Sequence, residues 1–332
     1  AGFHLPGWHA PTGWTSWEQI RDEFLRAKTD PLLLKGWVNK RAAEAWEDEA
    51  VAVINAEGLI TRAQAETFSS GTCPEGVVLL LMAVDTQDTW LECSVWGFGR
   101  GEEMWRIWHQ KVEGSPAEAD VWEQIDSIRR TEWPMEGGGT LTVRHCGVDT
   151  GGHFTQEAYE YCRQRSREGV VALKGSKNKA APALGKGSRV DVNARGQTIK
   201  KGLTLYQVGG DTLKRTIYAR LKKDAPGPGA IHLPNDVTEE YLQGLTCERL
   251  VPKMVKGFQV LSWENPSGAR NEPLDLTVYS LAILELVKRR YNRATLWDQL
   301  TAAAEERKAG QAKPKPKRRR SEPSGPGFVT GW

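Results

Sequence analysis

An apolar run that stops at a carboxylate constrains the fold of this chain more than any other feature. Residues 77–84, VVLLLMAV, are apolar without interruption, and Asp85 follows them directly. A short run of this kind is typical of a central strand that is covered on both faces of its sheet. The chain must therefore build a sheet between two layers, and it must accommodate a charge where its central strand ends.

The segments that follow predict the rest of this sheet. The next two alternate apolar and polar residues with a period of two, so the first three strands should form an antiparallel meander. The fourth predicted strand ends, like the first, in an aspartate, Asp149. Three strands, helix, strand, helix, strand is the order of an RNase H-like core, and we expect an α/β fold with a mixed central sheet flanked by helices. The segments after the first strand are 89–99, 103–112, 118–133 (helix), 139–149, 155–167 (helix) and 169–175.

The C-terminal half predicts fewer strands and more helices. Residues 202–222 indicate a strand, a turn and a helix, with Asp211 near the start of the helix. Residues 227–234 predict a short strand, and 238–251 a helix within a helix-rich insertion at 236–262. The final helix, 271–290, has a buried stripe and further apolar residues outside it, so we expect it to be covered on more than one side. The stripe is Leu274, Val278, Leu281 and Ala282, and the residues outside it are Ile283, Leu286 and Val287.

Residues 1–75 are rich in tryptophan and show short helical patterns. In one of them, Trp17, Ile20, Phe24 and Leu25 share a helical face. Thr29 and Asp30 offer a helix cap before Pro31. We interpret 1–75 as a helical lead segment that follows a domain upstream, 76–290 as the core domain, and 291–332 as a C-terminal helix extension with a disordered tail.

Charge is distributed unevenly along the chain. Residues 307–320 hold eight Lys and Arg and no acid, so the rest of a chain with net charge +3 carries −5. By composition this tail is disordered and solvated, and it either contacts phosphates or an acidic protein face or serves as a solubilising terminus. The five cysteines are scattered without a C-x-x-C pair, which favours reduced thiols over a zinc site. No window resembles a membrane span or a signal peptide.

A second basic segment, residues 175–200, is rich in Gly, Lys and Ala. It resembles a phosphate-binding loop, but Ala180 and the order Lys186–Gly187 break the required spacing. We predict a mobile basic loop whose cations bind nucleic-acid phosphates. The candidate DNA-binding residues are Lys174, Lys177, Lys179, Lys186 and Arg189.

The strand-end aspartates are the candidate site. If their strands are neighbours, Asp85 and Asp149 emerge at one edge, where two carboxylates repel each other unless a cation lies between them. Asp275 lies in the first turn of the last helix, after Asn271 as a candidate cap. Each acid alone is more often a cap or turn residue, but together they favour a nuclease that uses two divalent ions.

The same residues carry a family resemblance. The ordered set AVDTQDTWLECSVWGFGRGEEMW, GVDTGG, ALKG, GGDTLKRTIYARL, GPGAIHLP and RNEPLDLTVYSLA resembles the C-terminal endonuclease region of the phage lambda-type (GpA) terminase large subunit, and the upstream segment at 14–39 is similar as well. The resemblance covers roughly residues 1–290. It implies an RNase H-like nuclease that needs Mg²⁺ or Mn²⁺ and cuts concatemeric double-stranded DNA during genome packaging.

The resemblance also implies site residues and partners. The metal-binding acids are Asp85, Asp149 and Asp275, with Asp211 as a candidate fourth acid and Glu272 as a supporting group behind them. Pro273 departs from the family's usual NEALD, and no phosphate loop or Walker B acid is present, so we expect no ATPase activity. The implied partners are double-stranded DNA, a small terminase subunit, and the portal of the prohead through the tail. The expected location is the host cytoplasm, without a membrane association.

Two alternatives remain open. Another RNase H-like nuclease, such as a ribonuclease H, a resolvase or a transposase, fits the core but fits the tryptophan-rich lead segment poorly. A catalytically idle module that binds DNA or the portal would retain the acids as remnants. Cleavage of plasmid DNA that depends on a divalent ion excludes the idle module. Preference for duplex DNA over an RNA–DNA hybrid excludes a ribonuclease H.

Overall fold

A computed structural model describes residues 5–11, 13–28, 31–44, 54, 56–192, 198–255, 258–292 and 294–310. The strands are β1 Leu79–Thr86, β2 Trp90–Phe98, β3 Met104–Glu113, β4 Trp133–Pro134, β5 Thr140–Leu141, β6 Val143–Asp149, β7 Val170–Gly175, β8 Leu184–Val192, β9 Thr198–Val208, β10 Ile231–His232, β11 Arg249–Val255 and β12 Phe258–Glu264. The helices are α1 Trp17–Ala27, α2 Pro31–Trp37, α3 Ala56–Gln64, α4 Ala119–Arg130, α5 Thr155–Gln164, α6 Gly210–Leu221, α7 Glu239–Thr246, α8 Glu272–Arg290 and α9 Leu296–Gly310.

Within these residues, eight strands form one mixed sheet in the order β10-β3-β2-β1-β6-β7-β9-β8. β1, β2 and β3 pair antiparallel, which confirms the predicted meander. β6 pairs parallel with β1, β7 with β6, and β9 with β7, while β8 returns antiparallel to β9. The sheet is therefore the mixed α/β sheet that the sequence predicts, and β1 lies at its centre.

The continuous apolar run of β1 is explained by two cores. Leu79, Leu81 and Ala83 belong to a cluster with α8 on one face of the sheet. The alternate residues of β1 belong to a second cluster, with α4 and α5, on the other face. Because side chains alternate between faces, every position of β1 is buried. The prediction of a strand covered on both faces is confirmed.

Helix α8 is buried along most of its length, as its broad apolar surface predicts. It lies so close to β6 that a side chain at Gly147 would meet Ile283: a Cβ there would stand 2.8 Å from Cδ1 of Ile283. This close approach brings the first turn of α8 toward the ends of the parallel strands. Pro273 is tolerated because its missing N–H falls in the first turn, where no intrahelical partner exists.

Two predictions in the C-terminal half are wrong. The predicted mobile loop at 175–200 contains β8, which pairs with β9 and forms one edge of the sheet; residues 193–197 lie outside the described residues. The helix predicted at 238–251 ends at Thr246, and a two-stranded ribbon, β11–β12, follows it, so the 236–262 insertion is not helix-rich. Lys and Pro are tolerated in edge strands and short ribbons, and these residues obscured the strand pattern.

The described part of the lead segment contains α1, α2 and α3, but only part of the apolar face predicted for α1 is buried. Ser16 caps α1 with a capping box, and Ile20 is buried, whereas Trp17 and Leu25 are 70% and 48% exposed. Thr29 and Asp30, the predicted cap of α2, lie outside the described residues. α3 packs into the core through Leu59 and Ala63, and the domain boundary at 75/76 stays a prediction.

The end of the chain is described only up to residue 310. α9 continues to Gly310, so residues 307–310, which we assigned to a disordered tail, are helical. Residues 311–332 lie outside the described residues. Across the described ranges, no helix has the length and the apolar character needed to span a membrane.

Candidate active site

Two aspartates end neighbouring parallel strands at the same edge of the sheet. Val84 of β1 stands opposite Val148 of β6, and each is followed by an aspartate, Asp85 and Asp149. Asp85 continues the face of Leu81 and Ala83, which packs on α8. Asp149 continues the face of Gly147, which approaches Ile283 of α8. Period-two alternation thus directs both acids to the α8 side of the sheet.

Asp85 is held in an environment that disfavours its charge. Its exposed fraction is 6%, and burial together with the negative charge of Asp149 raises its pKa to about 7. The Nε2 of Gln87 donates to Asp85 Oδ2 at 2.6 Å and counteracts part of this shift. Asp275 and Glu272 add further negative charge.

Asp149 is held by hydrogen bonds to its side chain and to its backbone oxygen. Burial raises its pKa, although the Tyr279 hydroxyl, the backbone N–H groups of Gly151 and Thr150, and the charge of Lys174 act in the opposite direction. The N–H of Gly151 donates to Asp149 Oδ1 at 3.2 Å, and the Thr86 hydroxyl donates to the backbone oxygen of Asp149 at 2.5 Å. The strand ends are therefore tied together by hydrogen bonds as well as by register.

Asp275 joins this edge from the first turn of α8. Its carboxylate is about one-third exposed, at 34%, and its pKa is raised by burial and by Glu248 and Asp149, against the opposing charge of Lys214. Lys214 Nζ lies 3.3 Å from Asp275 Oδ1. Asn271 begins the helix, but its side chain does not cap it: Nδ2 donates to Asp275 Oδ2 at 3.0 Å.

Sequence reasoning missed two charged residues beside Asp275. Glu248 is buried and accepts hydrogen bonds from Lys214 Nζ at 2.7 and 2.8 Å and from Asn271 at 2.9 Å. Burial lowers the pKa of Lys214, but Asp275 and Glu248 outweigh it, so the pKa is raised and the ammonium stays charged. Glu248 lies in a segment wrongly predicted as helix, so no sequence signal indicated its position at this edge.

Glu272 and Arg270 connect the site to the antiparallel side of the sheet. Glu272 is buried and lies 3.3 Å from Arg270 Nε. The same guanidinium donates to Glu92 Oε2 at 2.8 Å, and Glu92 is the β2 partner of Asp85. Arg270 also lies over the ring of Trp90, 4.6 Å from its centroid. Glu272 therefore lies near the aspartates, and Arg270 compensates its charge.

Asp211 occupies the neighbouring flank. It is half-buried near the start of α6, and its pKa is raised by burial and by Glu248, against Lys179 and Lys214. These groups link it to the Glu248 side of the site rather than to the strand-end pair. Its role as a fourth metal ligand stays a prediction.

The predicted DNA-binding cations lie from the end of β7 to β8: Lys174 is in β7, Lys177 and Lys179 follow it, and Lys186 and Arg189 are in β8. Lys177, Lys179, Lys186 and Arg189 are exposed, and Lys174 is half-buried near Asp149. Lys179 Nζ donates to the Ser262 hydroxyl of β12 at 2.9 Å. Contact of these residues with DNA stays a prediction.

The donor chemistry of this edge fits Mg²⁺ or Mn²⁺. Asp85, Asp149 and Asp275 offer only carboxylate oxygens, which these hard cations prefer. Burial is the main reason that the pKa of each is raised, and a bound cation would stabilise the charged form. In the part of the chain that the structure describes, no group of three or more His, Cys, Asp or Glu is already arranged to hold a metal ion.

An acidic edge on a two-sided α/β sheet is suited to hydrolysis assisted by a divalent ion. The family model of the terminase large subunit gpA, endonuclease domain, matches residues 1–297, and the chain belongs to this family. It is 30% identical over 293 residues to the terminase large subunit of Escherichia phage lambda, and 30% identical over 298 residues to that of Enterobacteria phage P21. These matches cover 86% and 87% of this chain but 43% and 44% of the relatives, so the chain spans less than half their length. The resemblance stated from sequence is confirmed.

Proposed function

We propose that this chain is a metal-dependent endonuclease that cuts concatemeric double-stranded DNA while a phage genome is packaged. One observation carries the proposal: the parallel register of Val84 with Val148, which brings Asp85 and Asp149 to one edge. Family membership supports the reaction, and the strand order β3-β2-β1-β6-β7 supports an RNase H-like core.

In this proposal the chain's own residues hold and orient the reacting groups. Asp85, Asp149 and Asp275 bind the metal, Gln87 orients Asp85, and Tyr279 orients Asp149. Mg²⁺ or Mn²⁺ held there in a two-metal arrangement would supply positive charge that activates a water and stabilises the leaving oxygen of the phosphodiester. Asp85 and Asp149 face the side of the sheet on which α8 carries Asp275, so a cation bound among the three carboxylates would offset part of their mutual repulsion.

The partners that the family resemblance implies extend the proposal. The substrate is double-stranded DNA, a small terminase subunit selects the site, and the tail beyond residue 310 docks on the portal of the prohead. The chain acts in the host cytoplasm as a viral enzyme. It contributes no ATPase activity.

The idle-module alternative is less favoured because of the charges at this edge. A buried, incompletely compensated carboxylate such as Asp85 destabilises a fold, and an idle module gains nothing from retaining three of them. A different RNase H-like nuclease fits the family match poorly.

The test is cleavage of supercoiled plasmid by the purified chain. We expect nicking and linearisation with Mn²⁺ or Mg²⁺, none with EDTA, and none with Asp85→Asn. A chain that binds DNA but never cuts it would support the idle module. Preference for an RNA–DNA hybrid over duplex DNA would support a ribonuclease H.

A further inference from the structure

Lys214 closes a ring of four polar side chains at the edge of the candidate active site. Its ammonium contacts both oxygens of Glu248, at 2.7 and 2.8 Å, and Oδ1 of Asp275, at 3.3 Å. The amide of Asn271 bridges the same two carboxylates from another direction, at 2.9 and 3.0 Å. Each oxygen of Asp275 therefore contacts a group that Glu248 also binds.

Glu248 is the fixed member of this ring. It is 7% exposed, and its backbone oxygen accepts a hydrogen bond from the hydroxyl of Tyr218. Tyr218 and Lys214 lie one helical turn apart on α6, so the same helix holds Glu248 through its backbone and through its side chain. The ring thus connects α6, the start of β11 and the first turn of α8.

We propose that Lys214 is a positioning residue for Asp275, fixing its carboxylate in the orientation in which it shares a divalent ion with Asp85 and Asp149. The proposal rests on the proposed function. Without the ammonium, Glu248 and Asp275 would repel each other, and the partly exposed Asp275 side chain would rotate away. Groups that orient a metal ligand in this way typically change metal affinity or activity by about 10–100-fold.

The test compares Lys214→Met with wild type in two Mn²⁺ titrations. The first follows the rise in melting temperature without DNA, and the second follows the rate of plasmid cleavage. We expect Lys214→Met to need at least about 10-fold more Mn²⁺ in both. Lys214→Arg keeps the charge and should recover part of the loss, which a purely structural role would not predict.

Lys288→Met is the matched control. Its side chain is 15% exposed, against 14% for Lys214, and it also pairs with two carboxylates, Glu102 and Glu285. It lies thirteen residues after Asp275 on α8, which corresponds to about 20 Å along the helix. Its loss should lower stability without changing either Mn²⁺ midpoint.

The possible results separate the two proposals. A folded Lys214→Met with wild-type midpoints overturns the positioning role, and so does an equal shift in Lys288→Met. If Lys214→Met does not fold, Lys214→Gln takes its place, and wild-type midpoints in that variant overturn the role as well. A wild-type chain without any Mn²⁺ response or cleavage contradicts the proposed function, and this inference with it.

Discussion

Val84 and Val148 lie opposite each other in the parallel register between β1 and β6, and an aspartate follows each of them. The register makes Asp85 and Asp149 neighbours although they are far apart in the chain. Both side chains face α8, whose first turn carries Asp275. The two carboxylates repel each other where they are buried, and this repulsion should affect the stability of the fold, its binding of metal and its activity.

The first prediction concerns Asp85→Asn without metal. The pKa of Asp85 is raised from 3.8 to about 7 in the folded chain, so the neutral acid stabilises the fold below about pH 4, and this stability is lost as the pH rises toward 7. Asp85→Asn has no carboxylate to ionise, so it does not lose this stability as the pH rises. In EDTA at pH 8 its free energy of unfolding should exceed that of wild type by on the order of 1–3 kcal/mol. Denaturant unfolding at pH 5 and pH 8 measures this difference.

The same variant should lose more than about 100-fold in cleavage rate, since a ligand matters more than the groups that orient it. Asp298→Asn, an exposed acid on α9 paired with Arg100, is the control and should cut normally. Cleavage by Asp85→Asn at the wild-type rate would show that Asp85 is not part of the active site.

The second prediction concerns Asp275→Asn and Mn²⁺. An ion that binds only the folded state raises the melting temperature by mass action, so millimolar Mn²⁺ should stabilise wild type. Asp275→Asn should show a smaller rise, because one ligand is lost. Thermal unfolding with and without Mn²⁺ measures both. Equal rises in wild type and variant would leave Asp275 as a helix-start residue.

The third prediction concerns the basic residues near β8. Replacing Lys177, Lys179 and Lys186 by Gln should weaken duplex binding similarly for all sequences. The dependence of log K on log[salt] should flatten by up to about 0.9 for each phosphate that is no longer neutralised. Fluorescence anisotropy at several salt concentrations measures the slope. The triple variant of Lys28, Lys40 and Lys223 removes the same charge elsewhere, and its slope should stay close to that of wild type. An unchanged slope in the first variant would place the β8 side away from DNA.

The fourth prediction concerns the basic tail. Because α9 continues to Gly310, the deletion should begin at residue 311 and leave the helix intact. We expect deletion of 311–332 to spare cleavage of naked DNA but to impair packaging into proheads by the full-length enzyme. Packaging assays with full-length enzyme measure the second effect. Normal packaging would make the tail an inert terminus, and loss of naked-DNA cutting would place it on the substrate.

Much of the fold follows from the sequence because its strongest patterns are local. The run before Asp85, the alternation of β2 and β3, and the broad apolar surface of α8 each correspond to an observed element. β8 and the β11–β12 ribbon were missed because Gly, Lys and Pro weaken the strand signal where only one neighbour is paired.

Some residues of the candidate site can be predicted from sequence patterns, and others cannot. Asp85 and Asp149 are visible in sequence because each ends an apolar run, and their proximity follows from strand order. Glu248 and Lys214 come together only through the packing of α6, β11 and α8. Two residues 34 positions apart, on elements that do not pair in the sheet, leave no periodic signal in the sequence.

The central claim is that the two strand-end aspartates and the first turn of α8 hold divalent metal together. Crystals of the chain soaked in Mn²⁺ and measured for anomalous scattering test it most directly. We expect Mn²⁺ density within about 2.5 Å of carboxylate oxygens of Asp85 and Asp149, with Asp275 turned toward the same site. Mn²⁺ bound elsewhere, with these two aspartates uncoordinated at saturating metal, would contradict it.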